Sequence, residues 1–220
     1  MPRIALIHAL AHSPPPINEA MARLWPQAEC MNLLDDSLSA DLARSGALDE
    51  AMTQRFITLA DYAFACGADA ILFTCSAFGP CIDAVKRRHA RHPVLKPNEA
   101  MVDEAVALAT RLGACVGLVA SFGPTLDSMP GEFPADRQPL TALAAGAMRA
   151  LNAGDTASHD LQVADAAGTL AARGCGVIAL AQFSLARCAP AVAARTGLPV
   201  VTTVDSAVRR LQAALGVSPG

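Results

Sequence analysis

The stretch GADAILFTCSAFGPCIDAV at residues 67–85 recurs at residues 174–192 as GCGVIALAQFSLARCAPAV. The two copies align without a gap, so that Ile71 corresponds to Ile178. Each copy starts with a short apolar run that is typical of a buried strand and continues into a segment that is typical of a helix. A repeat of this kind predicts two similar α/β halves within one chain.

The segments around the two copies extend the repeat in the same order. HPVLKPNEA corresponds to LPVVTTVDS and pairs Pro93 with Pro199, and the earlier run IALIHA corresponds to VGLVAS. Continuous apolar strands between helices indicate a mostly parallel sheet that is covered on both faces. We therefore predict an α/β fold of two pseudo-symmetric, doubly wound domains with an active-site cleft between them. The predicted boundaries place residues 1–95 and 206–220 in the first half and residues 96–205 in the second.

Three local patterns lead to narrower expectations. Residues 39–66 have apolar side chains at spacings of three and four, which predicts a continuous helix. Residues 140–152, LTALAAGAMRALN, are rich in alanine and leucine and are also predicted to be helical. His159, within the polar stretch GDTASHD, is expected in an exposed loop, with a lid residue as the alternative.

The composition argues against two classes of partner. Hydrophobic residues make up 53% of the 220-residue chain and charged residues 17%, which is typical of a compact globular protein. The net charge of -3 leaves no electrostatic footprint for a nucleic acid. No apolar run approaches the ~20 residues that a helix needs to cross a bilayer, so we expect no membrane partner.

The cysteines and the N-terminus bear on the compartment. The seven cysteines are scattered without a C-x-x-C pair and without histidines at metal-ligand spacing, so we expect no metal site. The run MPRIALIHAL has one positive charge and a short apolar stretch, which does not fit a secretory signal peptide. Reduced thiols in a cytoplasmic protein are the resulting expectation.

Cys75 is the candidate for chemistry inside the repeat. It lies at the end of a predicted strand and just before a predicted helix, where backbone N–H groups and the helix dipole would stabilise a thiolate. Its counterpart in the second copy is Gln182. The alternative is that Cys75 is a small buried residue without a catalytic role, which is common for free cysteines.

With FTCSAF at residues 73–78, PVLKPNEA at residues 93–100 and the two-half layout, the chain resembles the Asp/Glu racemase superfamily. That superfamily includes glutamate, aspartate and hydantoin racemases, maleate isomerases and arylmalonate decarboxylases. The resemblance implies two small α/β domains that enclose a carboxylate substrate without a metal or an organic cofactor, often in a homodimer. It also implies that Cys75 transfers a proton, whereas Gln182 stands where racemases of the family have a second cysteine.

Five residues besides Cys75 are candidates for binding the substrate. His8 and Ser76 follow from the resemblance, which has polar residues at these points. Ser121 and Thr125 come after the corresponding strand of the second half and could hydrogen-bond a carboxylate. Gln182 completes the set as a polar but non-titrating side chain. A structural histidine at His8 and ordinary loop capping by the two second-half hydroxyls are the alternatives.

These observations lead to one expected function and two alternatives. The expected function is a cofactor-independent racemase or isomerase that acts at the α-carbon of a small carboxylate by cysteine-mediated proton transfer. A site with one cysteine also fits a decarboxylase of a malonate-type substrate, because an amide such as that of Gln182 cannot exchange a proton at a useful pKa. The remaining alternative is a non-catalytic small-molecule binding protein on the same scaffold.

Overall fold

The computed structural model describes residues 1–11 and 13–217 and divides the chain into two compact units. The first unit consists of Met1–Asn98 together with the segment that begins at Ala207, and the second is Glu99–Ser206. Among the described residues, no helix is both long enough and apolar enough to cross a membrane.

The first unit contains a four-stranded parallel sheet with flanking helices. The strand order is β2-β1-β3-β4, for β1 (Arg3–His8), β2 (Glu29–Leu34), β3 (Ala70–Phe73) and β4 (Val94–Leu95). The helices are α1 (Pro14–Leu24), α2 (Ser37–Ser45), α3 (Glu50–Ala65) and α4 (Gly79–Arg88).

The second unit repeats this arrangement. Its sheet has the order β6-β5-β7-β8, for β5 (Cys115–Ala120), β6 (Leu140–Leu143), β7 (Cys175–Leu180) and β8 (Val200–Thr202). The helices that follow Asn98 are α5 (Glu99–Leu112), α6 (Gly123–Ser128), α7 (Ala147–Asn152), α8 (Thr156–Ala172), α9 (Ala189–Thr196) and α10 (Thr203–Ala214). The α/β class and the parallel sheets predicted from the repeat are confirmed.

Hydrogen bonds at corresponding positions show that β7 pairs with β8 in the same register as β3 with β4. The N–H of Ile71 donates to the carbonyl oxygen of Pro93 at 2.9 Å, and the N–H of Ile178 donates to that of Pro199 at the same distance. The sequence repeat pairs the same residues, Ile71 with Ile178 in the gapless block and Pro93 with Pro199 in the segment that follows it. The sequence repeat is therefore a structural repeat.

An aromatic cluster supports the segment that follows β3. Asp49 caps α3 by accepting a hydrogen bond from the N–H of Met52 at 2.7 Å. On the buried side of α3, the ring of Phe56 lies 5.3 Å from that of Phe73 and 4.8 Å from that of Phe78, measured between centroids. All three rings are buried, and Phe73 and Phe78 lie at the two ends of the turn between β3 and α4. Packing against Phe56 therefore fixes both ends of this turn.

Two of the three local predictions are wrong, because a glycine ends the first predicted helix early and a strand forms at the start of the second. The helical pattern of residues 39–66 is interrupted at Gly46, whose φ of 68° ends α2, and α3 begins at Glu50. Residues 140–152 begin with a strand, because β6 pairs with β5 in the place that β2 has beside β1. Gly146, with a φ of 88°, then precedes the short helix α7. Tertiary pairing overrides the helix propensity of the alanine-rich segment.

The third expectation, an exposed loop around His159, is also wrong. Asp155 caps α8 by accepting a hydrogen bond from the N–H of Ser158 at 3.0 Å, so that the helix starts at Thr156. His159 lies in the first turns of α8 and its side chain is fully buried. The polar stretch GDTASHD is thus a helix start rather than a loop.

Candidate functional site

Cys75 lies just past the carboxyl end of β3. It precedes a short 3₁₀ turn, Ser76–Phe78, which leads into α4. The half-buried thiol lines a narrow pocket whose other walls are apolar apart from His8. Ligands of parallel α/β sheets bind at this edge, so the position fits a candidate catalytic group.

Burial determines the protonation of the Cys75 thiol. Desolvation raises its pKa above the ordinary value, and a hydrogen bond from the backbone N–H of Ala77 only partly opposes this. The sequence predicts that the turn after β3 lowers the pKa of this thiol. That prediction is wrong, because burial outweighs the hydrogen bond. At neutral pH the resting group is a thiol, which can donate a proton before it can accept one.

His8 is the centre of a polar network beside Cys75. Its Nδ1 lies 2.9 Å from Thr74 Oγ1 and its Nε2 lies 2.9 Å from Asn32 Oδ1. Burial lowers the pKa of His8, which favours a neutral ring. A neutral ring with Asn32 Oδ1 as acceptor carries its proton on Nε2, so Nδ1 accepts from the Thr74 hydroxyl, whose other acceptor, the carbonyl oxygen of Ile7, lies farther away at 3.3 Å. Both ring nitrogens are thus engaged within the protein, and contact of His8 with a substrate stays a prediction.

The second unit lacks this network. The N–H of Thr74 donates to the carbonyl oxygen of Ile7 at 3.0 Å, and the N–H of Ala181 donates to that of Val119 at 2.9 Å. Ala181 therefore occupies the position of Thr74, and the residues that follow, Gln182 and Cys75, are structural counterparts.

Gln182 and Ser121 are joined directly. Gln182 Oε1 accepts a hydrogen bond from the Ser121 N–H at 2.7 Å and another from Ser121 Oγ at 2.9 Å. Both residues follow strands, β7 and β5, at the carboxyl edge of the second sheet. Because the oxygen of the amide is engaged, the half-buried side chain of Gln182 can offer a ligand its Nε2 hydrogens.

The remaining predicted site residues are more loosely held. Ser76 is exposed and directly follows Cys75. Thr125 is half-buried in α6, where its N–H donates to the carbonyl oxygen of Phe122 at 3.1 Å. The structure thus groups Cys75 with His8 in the first unit and Ser121 with Gln182 in the second.

A second polar cluster involves Cys188, which corresponds to Cys81 of the first unit. His159 Nδ1, Asp160 Oδ1 and Cys188 Sγ lie within 4.8 Å of one another and form, among residues 1–11 and 13–217, the group that could hold a metal ion. Arg187 Nε already lies 3.1 Å from the same oxygen of Asp160. Because this guanidinium compensates the carboxylate, and Cys188 is fully buried with a raised pKa, the cluster fits a structural role.

The comparisons with known proteins agree with this architecture. The family model for Asp/Glu/Hydantoin racemase matches residues 16–211. The chain belongs to the Asp/Glu/hydantoin racemase family. No match was found among curated protein sequences.

Solved structures of similar fold include racemases and a decarboxylase. Unliganded arylmalonate decarboxylase is 14% identical with a TM-score of 0.66, covering 98% of this chain and 94% of that chain. Allantoin racemase from Pseudomonas fluorescens is 19% identical with a TM-score of 0.66, covering 99% and 93%. Glutamate racemase from Francisella tularensis subsp. tularensis SCHU S4, in complex with D-glutamate, is 14% identical with a TM-score of 0.63, covering 98% and 81%. At these identities the similarity concerns the fold.

Three polar partners were not foreseen from the sequence. Asn32 on β2 and Thr74 just after β3 hydrogen-bond to His8. Asp160 on α8 accepts a hydrogen bond from Cys188. None of these pairs is close in the chain, so no local motif indicates them. Once the strand register is known, Asn32 could have been placed, because it is paired with Leu6, two residues before His8.

Proposed function

We propose that the protein is a cofactor-independent enzyme that transfers a proton at the α-carbon of a small carboxylate through Cys75. The observation that carries this proposal is the position of Cys75 past the end of β3 in a chain of the racemase family. The matching position past β7 holds Gln182, so one titrating side chain is available across the two equivalent positions.

For an isomerase-type reaction, the Cys75 thiol first loses its proton to solvent. The thiolate then takes the α-proton: the C–H bond breaks, an S–H bond forms, and the electron pair moves into the substrate carboxylate as an enediolate. Return of the proton to carbon restores the thiolate. The Ala77 N–H stabilises the charge on sulfur during these steps.

Neutral donors would hold the carboxylate of the substrate. Gln182 would donate from Nε2, because Ser121 occupies its oxygen. Ser76 beside the thiol and Thr125 on α6 are further hydroxyl donors for which we propose this role. Uncharged donors stabilise an enediolate without fixing a cation next to the thiolate.

A second function, decarboxylation of a malonate-type substrate, is favoured by the raised pKa of Cys75. Loss of carbon dioxide breaks a C–C bond and leaves the electron pair on the α-carbon. The Cys75 S–H then protonates that carbon, and solvent returns a proton to the sulfur. This sequence starts from the neutral thiol and needs one titrating group, which is what this chain offers.

Proton NMR in D₂O tests both functions in one experiment. The purified protein is incubated with α-amino acids, hydantoins, maleate and aryl-substituted malonates. Loss of an α-proton signal indicates exchange at carbon, and a decarboxylated product that carries deuterium indicates a decarboxylase.

The Cys75→Ala variant should lose turnover by at least about 10²-fold, because proton transfer by a placed side chain contributes about that much or more. Cys66→Ser, another half-buried cysteine, is the control and should keep full activity. Equal activity of Cys75→Ala and the wild type would reject the proposed role of Cys75. Binding of a panel compound without turnover would favour a binding protein instead.

A further inference from the structure

Two cysteines of the second unit lie side by side at the amino ends of neighbouring strands. Cys115 begins β5, Cys175 begins β7, and the two residues are partners in the strand register. Their Sγ atoms are 3.5 Å apart. Both side chains pack against the same apolar cluster, on the side of the sheet that faces α8. The thiols are therefore in contact across the strand pair, at the end of the sheet opposite to Gln182.

A β-bulge produces this contact. Val116 pairs with Val177, whereas Cys115 pairs with Cys175, so Gly176 is an extra residue on β7. A Cβ atom on residue 176 would lie 2.4 Å from the Cβ of Ala114, so only glycine fits there without displacement. With an unshifted register, Cys115 would pair with Gly176 and not with Cys175.

The first unit is built differently at the corresponding end. There Arg3 and Asp69 occupy the sheet end, and the Arg3 N–H donates to Asp69 Oδ2 at 2.8 Å. The register between β1 and β3 is continuous from Ile4 onward. The cysteine pair is thus not an inherited feature of the repeat but one that the second unit alone carries among the described residues.

We propose that Cys115 and Cys175 form a reversible disulfide when the protein meets a small-molecule disulfide such as oxidised glutathione. The Cys115 thiolate attacks the small disulfide, so that one S–S bond breaks, a mixed disulfide forms and one small thiolate leaves. Cys175 then gives up its proton and attacks the sulfur of Cys115, which releases the second small thiolate. In sum, two protein thiols are oxidised and one small disulfide is reduced to two thiols.

The order of these steps follows from exposure. Cys115 is half-buried, whereas Cys175 is 4% exposed, so the incoming disulfide reaches Cys115 first. Burial, and then the neighbouring Cys115, raise the pKa of Cys175 to about 12. When Cys115 becomes part of the mixed disulfide, it no longer raises the pKa of Cys175. Its sulfur is then an electrophile that lies next to Cys175.

Oxidation of the purified protein tests this proposal. The folded chain is incubated with oxidised glutathione and its intact mass is measured. It is then denatured, alkylated and examined by tryptic peptide mapping. The expected results are a mass loss of about 2 Da and a fall from seven alkylatable thiols to five. Trypsin should then release residues 112–137 joined to residues 174–187, since each of these peptides contains one cysteine. Dithiothreitol should restore all seven thiols.

Variants make the assignment specific. Cys115→Ser and Cys175→Ser should each abolish the joined peptide, and Cys66→Ser should retain it. Circular dichroism of each variant shows that the comparison is made on folded protein. A folded wild type that keeps seven alkylatable thiols would overturn the proposal. So would a joined peptide that involves any cysteine pair other than Cys115 and Cys175.

Discussion

Burial of the Cys75 thiol controls which proton transfers the candidate site can start. The pKa of this thiol lies above its ordinary value because desolvation outweighs the hydrogen bond from Ala77. The sequence places Cys75 correctly at a strand end, and the strand–helix transition is visible in the residue pattern. The pKa is not visible there, because it depends on the pocket walls that other elements supply, such as Phe56 of α3.

The raised pKa of Cys75 determines how the rate of the proposed reaction should depend on pH. Exchange at the α-carbon needs the thiolate, so its kcat/KM should rise about tenfold per pH unit up to the pKa of Cys75 and then level off. Decarboxylation needs the thiol, so its kcat/KM should be level at neutral pH and fall above that pKa. Rates measured from pH 6 to about 10.5 distinguish the two. A level profile for α-proton exchange would mean that a group other than Cys75 takes the proton.

At the scale of elements, the His8 network links three strands or strand ends. His8 ends β1, Asn32 lies on β2 and Thr74 follows β3. The repeat predicts β1 and β3, since their apolar runs are continuous in the sequence, but it does not include β2. The repeat does not predict β6, whose residues have a helical pattern. It also does not predict the His8 network, because the strand register brings its members together and no local motif marks them.

The two partners of His8 should differ in their effect on stability. Thr74 is buried, so Thr74→Val leaves His8 Nδ1 without a donor and should lower the free energy of unfolding by about 1–3 kcal/mol. The side chain of Asn32 is exposed, so in Asn32→Ala water can take over the bond to Nε2 and the loss should stay below about 1 kcal/mol. Urea unfolding of both variants measures the difference. Equal losses would contradict a buried, neutral His8 that depends on Thr74.

At the scale of the whole molecule, the two units share a topology but differ in the chemistry at the carboxyl edges of their sheets. The first unit presents a thiol beside a buried histidine network, and the second presents an amide that Ser121 holds in place. The duplicated pattern makes the family and the fold visible from the sequence. The proposed reaction depends instead on a position where the copies differ, Cys75 in the first unit against Gln182 in the second.

Restoring a thiol at that position tests whether the difference limits the reaction. If Gln182 stands in place of a second proton-transferring cysteine, Gln182→Cys should add exchange with inversion of configuration, with a rate at least about tenfold above that of the wild type. Gln182→Ala is the matched control, because it also removes the acceptor of Ser121 but adds no titrating group. Chiral chromatography of a substrate incubated in D₂O measures inversion and exchange together. A wild type that already inverts its substrate would show that another group acts as the second base. Identical behaviour of the two Gln182 variants would show that residue 182 does not reach the α-carbon.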